Sequence, residues 1–272
     1  MAKGDKEGRM LFDLRGRRRN VIKVVYGILA LLMGLSLILL AGPGFGVLGG
    51  NGSSSSAAEA LEEQTERIET KLAKDPGNPD LLLNLTRNQI NVAYALSEAN
   101  PSTGEVLLTV EGRQELQKAS ATWDEYLEAT DEPRIGGALV ASQALFQLAQ
   151  TSRRTLEARN NVVAAAEAQR IVAEAQPSLG SLSTLSFYEL YAGEFKAAEE
   201  TLAEAKEFSG SKFERRQLQT QFDEIEKSAR EFEQQVKEAE SAAKEGAEER
   251  ANNPESFENP LGLGGGGGGI GE

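Results

Sequence analysis

The chain of 272 residues contains neither cysteine nor histidine. It therefore builds no disulfide framework, thiolate zinc site, cysteine nucleophile, haem-ligating histidine or Ser-His-Asp triad. The side chain that usually moves protons near neutral pH is missing as well. Cations are absent between Lys23 and Arg67. From residue 42 onward 21 Lys/Arg face 39 Asp/Glu, a balance of −18. Nucleic acid is excluded as a partner, because phosphate binding requires clustered cations. Glycine is scarce where helices are expected: residues 57–250 hold nine, against 31 alanines. Pro177 is the one proline between Arg134 and Asn253. Such a composition favours helix, and the expected fold class is all-α. Only Val106-Leu107-Leu108-Thr109-Val110 offers a short strand candidate, with a loop as the other reading.

The first feature present is an apolar run. Val24–Ala41 has 18 residues without a charge or a side-chain amide, 11 of them Leu, Ile or Val. Val21 and Ile22 extend it, and a bilayer core needs about 20 such residues. Insertion is worth about 3 to 6 kcal/mol gross on the translocon scale. Residues 1–23 carry eight Lys/Arg against Asp5, Glu7 and Asp13. The positive-inside rule places this leader in the cytoplasm and everything beyond Gly42 outside. The run is longer than a secretory signal core, and Pro43 occupies the place of a small-residue cleavage motif, which predicts an uncleaved anchor. Arg18-Arg19-Asn20-Val21-Ile22-Lys23 resembles a twin-arginine export pattern; an anchor charge cluster is the reading preferred here.

The expected layout is a basic leader over 1–20, a transmembrane helix over 21–41, a Gly/Ser linker over 42–56, a helical domain over 57–210, a long amphipathic helix over 211–250 and a glycine-rich tail over 251–272. The linker behaves as a coil spanning roughly 20 Å, and the tail lacks any periodic pattern. Its six consecutive glycines precede no helix and no Lys-Ser/Thr pair, so they form no phosphate loop.

Punctuation and period predict helices at 57–74, from Asp80, at 112–129, 135–149, 161–175, 181–192 and 195–208. Loops near 100–111 and 151–160 read as insertions. Leu182 and Leu185, the turn Gly193-Glu194-Phe195, and Ala198, Leu202 and Ala205 follow one another at the spacing of two antiparallel helices packed through small residues. A second such stretch runs from Leu72 through Asp75-Pro76-Gly77-Asn78-Pro79 to Leu82 and Leu85. Leu82 and Leu182 lie 100 residues apart, close to three 34-residue periods. These stretches resemble tetratricopeptide repeats, with Glu189 standing where the family usually has an aromatic residue. The other reading is a generic helical bundle.

The resemblance implies a concave groove, lined by the first helix of each hairpin, that holds peptides. Its counterparts here are Leu83, Arg87, Ile90 and Asn91 in the first repeat, and Ser183, Phe187, Leu190 and Tyr191 in the last. Of the cations that clamp a C-terminal carboxylate in that family, Arg87 alone has a counterpart. The whole layout resembles single-pass bacterial membrane proteins with an outward tetratricopeptide domain, some of which assist secretion. A protein or peptide partner is implied, together with the lipid bilayer.

In the last helix, Leu218, Phe222, Ile225, Ala229, Phe232, Val236, Ala239 and Ala243 recur at alternating spacings of four and three, a heptad register. Two readings stay open: a helix that caps the end of the repeats, or a coiled coil that makes a homo-oligomer. The acidic run Asp124, Glu125, Glu128, Asp131 and Glu132 lacks the glycine-turned oxygen loop of a calcium site and reads as a solvated face. No catalytic residue, cofactor or metal is expected, and the chain reads as non-enzymatic.

Overall fold

A computed structural model of the chain describes residues 54–99 and 106–252. The leader, the apolar run at 21–41, the linker up to residue 53 and the tail from 253 lie outside the described residues. Among the described residues, no helix is long and apolar enough to cross a membrane. The described part is almost wholly helical. The order is α1 (Ser54–Leu72), α2 (Pro79–Ala95), β1 (Glu98–Ala99), β2 (Val106–Leu107), α3 (Val110–Glu128), α4 (Ile135–Thr151), α5 (Thr155–Ala175), α6 (Leu179–Tyr191), α7 (Phe195–Glu207) and α8 (Lys212–Asn252).

Local chemistry sets most of the boundaries. The Asn78 side chain accepts from the Leu81 amide, 3.1 Å away, and Pro79 opens α2 where its missing N–H costs nothing. Thr109 caps α3 in the same manner through the Gly112 amide, at 3.0 Å. Ser178 and Ser181 form a reciprocal capping box on α6. At the other end of α6, Gly193 takes the left-handed conformation at φ 72°. The Glu194 amide donates to the Glu189 carbonyl and the Gly193 amide to the Leu190 carbonyl, the two bonds of a Schellman stop. The strand candidate proves to be two residues long: Val106–Leu107 pairs antiparallel with Glu98–Ala99, and Val110 already begins α3.

Three antiparallel hairpins, α2–α3, α4–α5 and α6–α7, stack in sequence, with α1 packed on α2 ahead of them. Alanines and glycines at the crossings let the backbones approach. Ala138, Ala165, Ala168 and Ala198 are completely buried, and a Cβ on Gly137 would run into the Leu83 side chain. Trp123, Leu82, Leu83, Tyr126, Leu145 and Tyr188 fill the main core between the hairpins. Several buried polar side chains join the helices. Asn88 donates to the Leu61 carbonyl and to Thr65, each at 2.7 Å, which fixes α1 on α2. Ser142 donates to Gln169, which in turn donates to the Ser181 carbonyl, joining α4, α5 and the start of α6.

Two sequence expectations are corrected. The segment near 151–160 is no insertion, because α5 begins at Thr155, six residues earlier than its pattern suggests. Its N-cap, Arg154, makes no side-chain capping bond, so nothing local announces the start. The hairpins begin at Pro79, Ile135 and Leu179, steps of 56 and 44 residues. The 100 residues from Leu82 to Leu182 therefore hold two steps rather than three. Only the last hairpin, with two helices of 13 residues, fits a 34-residue unit; the earlier pairs have 17 and 19, then 17 and 21.

Candidate functional site

The first helices of the hairpins stand side by side. Arg134, just ahead of α4, reaches Asp80 of α2 at 2.5 Å, and Phe146 of α4 stacks on Tyr188 of α6 with ring centroids 4.5 Å apart. The side chains these helices leave exposed or half-buried include Asn84, Arg87 and Asn91 on α2, Leu139 and Gln143 on α4, and Ser183, Thr184 and Phe187 on α6. The charge pattern of this layer differs from the rest of the domain. Helix α4 has no charged side chain, α6 has only the buried Glu189, and α2 has only Asp80 and Arg87. Most of the remaining acids among the described residues sit on α1, α3, α5, α7 and α8. A layer depleted of charge, with Leu139 exposed among amides and hydroxyls, has the composition of an interface core.

The eight groove residues expected from sequence divide into three groups. Leu83, Ile90 and Leu190 do not line a groove: each is at most 2 % exposed. Leu83 packs against Gly137, Ile90 joins Leu116, Ala144 and Leu148, and Leu190 joins Leu202, Phe222 and Ala229. Arg87, Asn91 and Ser183 lie on the open face, Ser183 donating to the Leu179 carbonyl at 2.5 Å. Phe187 and Tyr191 belong to a half-buried aromatic group with Phe146 and Tyr188. Burial pushes the Tyr191 hydroxyl above its ordinary range, with Ser228 of α8 opposing. Leu139 and Gln143 were not foreseen, because the middle hairpin carries no match to the repeat pattern; the absence of charge across 135–151 was the available signal.

Helix α8 closes the last hairpin. Phe222, Ala229 and Val236 are buried, and Leu218, Ile225 and Phe232 are partly covered, Phe232 lying 6.0 Å from the Tyr191 ring. Arg159 of α5 donates to Glu233 of α8 at 2.7 Å and to the Tyr191 carbonyl at 3.3 Å. Arg230 lies over the Phe195 ring, 4.4 Å from its centroid. The heptad stripe up to Val236 thus faces its own chain, while Ala243 is exposed.

No protein-family model, no curated protein and no solved structure matches this chain. Chemistry must therefore be judged from the side chains themselves. Among the described residues no group of three or more carboxylates is placed to hold a metal ion. Asp124 is raised above the usual carboxylate range, first by burial and then by Glu167 and Glu128. A void bounded by Thr86, Ile90, Leu116, Trp123 and Ala144 measures about 10 Å³, room for one water and no ligand.

Glu189 is the one deeply buried carboxylate among the described residues. Its Oε1 accepts from Arg170 at 3.1 Å, and Arg170 also reaches Glu194 at 2.8 Å. Burial raises its pKa, with Thr201 and Arg170 opposing, and Oε2 makes no hydrogen bond. The pair joins α5 to the α6–α7 turn.

Gly193 couples this turn to α8. A Cβ there would fall on the Arg159 guanidinium and close to Glu233. A Gly193→Ala chain is expected to lose roughly 1–3 kcal/mol from left-handed strain and displacement of Arg159. Urea unfolding checks the cost, and faster hydrogen exchange confined to residues 225–240 would locate it.

Proposed function

We propose that this chain is a non-enzymatic, membrane-tethered helical-repeat module of the tetratricopeptide kind that binds proteins or peptides outside the membrane, in secretion or envelope assembly. The observation that carries the reading is the charge-depleted face of α2, α4 and α6 on an otherwise acidic domain. Arg87 and Asn91 offer hydrogen bonds to a carboxylate or to peptide backbone, while Leu139 and Phe187 offer apolar contact. The run Val24–Ala41 supplies the anchor, with the leader cytoplasmic and the helical domain on the far side. The self-associating alternative would have to draw its stripe away from α5, α6 and α7, and favours itself through no separate observation.

Photocrosslinking of the full chain in its native membrane tests the proposal. A photoreactive residue at Leu139 or Gln143 is expected to trap a discrete polypeptide, whereas one at Glu199, exposed on α7, traps none. A Leu139→Glu change should reduce capture from position 143 by roughly tenfold, the loss typical of a central interface residue. Equal capture from both faces, or none from either, would overturn the reading.

A further inference from the structure

The turn between α7 and α8 departs from the rest of the acidic domain. Residues 206–216 contain Lys206, Lys212, Arg215 and Arg216 against Glu207 and Glu214, a local balance of +2. None of the four cations forms an ion pair among the described residues. Between them project the two most exposed aromatic side chains of the described residues, Phe208 at 49 % and Phe213 at 68 %. The turn that presents them is built rather than loose. Glu214 accepts from the Gly210 amide at 2.7 Å, the Glu214 amide donates to Ser211 at 3.2 Å, and Arg215 donates to the buried Ser209 hydroxyl at 3.1 Å. Glu214 keeps its charge while capping α8, and the tip retains its balance of +2.

Exposed phenylalanines ringed by Lys and Arg suit one surface chemistry, an interface apolar within and anionic outside. We propose that this tip docks on an anionic phospholipid bilayer, with Phe208 and Phe213 entering the headgroup boundary and the four cations meeting lipid phosphates. The acidic helices of the domain are repelled by such a surface, so the tip also favours one orientation of the module. The inference draws on the proposed anchor only for proximity. Ser54 opens α1 at the end of the helix layer away from the tip, about 28 Å along a 19-residue helix. Residues 42–53 reach roughly 40 Å when extended, enough to let the tip touch the membrane.

The full chain carrying Phe213→Trp, reconstituted in vesicles of phosphatidylcholine alone or mixed with phosphatidylglycerol, tests this. The native Trp123 is 1 % exposed and gives a constant background. Brominated acyl chains are expected to quench the new tryptophan at least twofold more in the anionic vesicles, and a Lys212→Glu, Arg215→Glu, Arg216→Glu chain should abolish the difference. Equal quenching in both vesicles, with the chain resistant to carbonate extraction, overturns the tip while leaving the anchor intact. Extraction by carbonate instead speaks against the anchor; the released chain should then still sediment with anionic vesicles, the triple reversal lowering its partitioning roughly a hundredfold. Failure of the released chain to sediment overturns the tip. A concentration-dependent shift of the new tryptophan in detergent without lipid would assign the tip to a second copy's acidic surface and equally overturn it.

Discussion

An Arg170→Ala chain is expected to lose about 3–5 kcal/mol of folding stability at neutral pH, the cost of leaving a buried charge without its partner. The Glu189 side chain is 3 % exposed, and Arg170 is the one cation it meets among the described residues. Without it the carboxylate faces Glu194, whose charge already opposes its ionisation. The sign of the pH dependence follows from the direction of the shift. Burial raises the Glu189 pKa in the folded state above its unfolded value, so the folded chain takes up a proton first on acidification. The stability this contributes is present in full below the unfolded pKa and is lost as pH rises through the folded one. Removing Arg170 raises the folded pKa further and steepens that loss. Urea unfolding in mild detergent, followed by Trp123 emission, should show the Arg170→Ala chain recovering much of its deficit at about pH 5. Adding Glu189→Gln should relieve most of the deficit at neutral pH and remove the pH dependence. A loss that neither acid nor Glu189→Gln relieves would mean that packing of the Arg170 stem, not its charge, holds α5 against α6.

Helix boundaries were legible wherever a local interaction creates them. Asn78-Pro79, Ser178 and Gly193 each announce an end through groups within a few residues, and the spacings of Pro76, Pro133 and Pro177, 57 and 44, anticipate the hairpin steps of 56 and 44. The start of α5 was not legible, because Arg154 caps nothing and the run from Thr155 is stabilised by packing on α4. The site was half legible for a related reason. In Leu81-Leu82-Leu83-Asn84-Leu85 apolar side chains point to several faces, and which of them meets solvent depends on where α3 and α4 lie. Leu83 is buried because Gly137 leaves a place for it on α4, a fact stored 54 residues away. Arg87 keeps its charge toward solvent and Asn91 follows it one turn on, whereas Asn88 between them is buried against α1. The uncharged surface of α4 was visible as composition, but its position between α2 and α6 is a property of the stack.

Ala229→Glu is expected to release α8 and destabilise the last hairpin by about 3 kcal/mol or more, since it puts an unpaired charge at a position 1 % exposed. Ala229 packs with Leu190, Leu202 and Phe222, so the introduced carboxylate has no route to water while α8 stays docked. Hydrogen exchange should accelerate first in α8 and α6–α7, with α2–α3 largely unaffected because its core is built from Ile90, Ala93, Leu116 and Leu148. Sedimentation supplies the discriminating measurement. If α8 serves as a cap, the native chain in detergent sediments as one copy and the Ala229→Glu chain associates more, through the apolar row of Leu190, Tyr191 and Phe195 that α8 had covered. If instead the heptad stripe joins copies, the same charge lies in the seam of the coil, and association falls while the hairpins keep their exchange protection. The opposite signs arise because one stripe cannot face two partners at once. In the single chain its contacts with α6 and the Arg159–Glu233 pair turn it inward. Under the cap outcome, the proposed polypeptide partner is left with the charge-depleted surface of α2, α4 and α6.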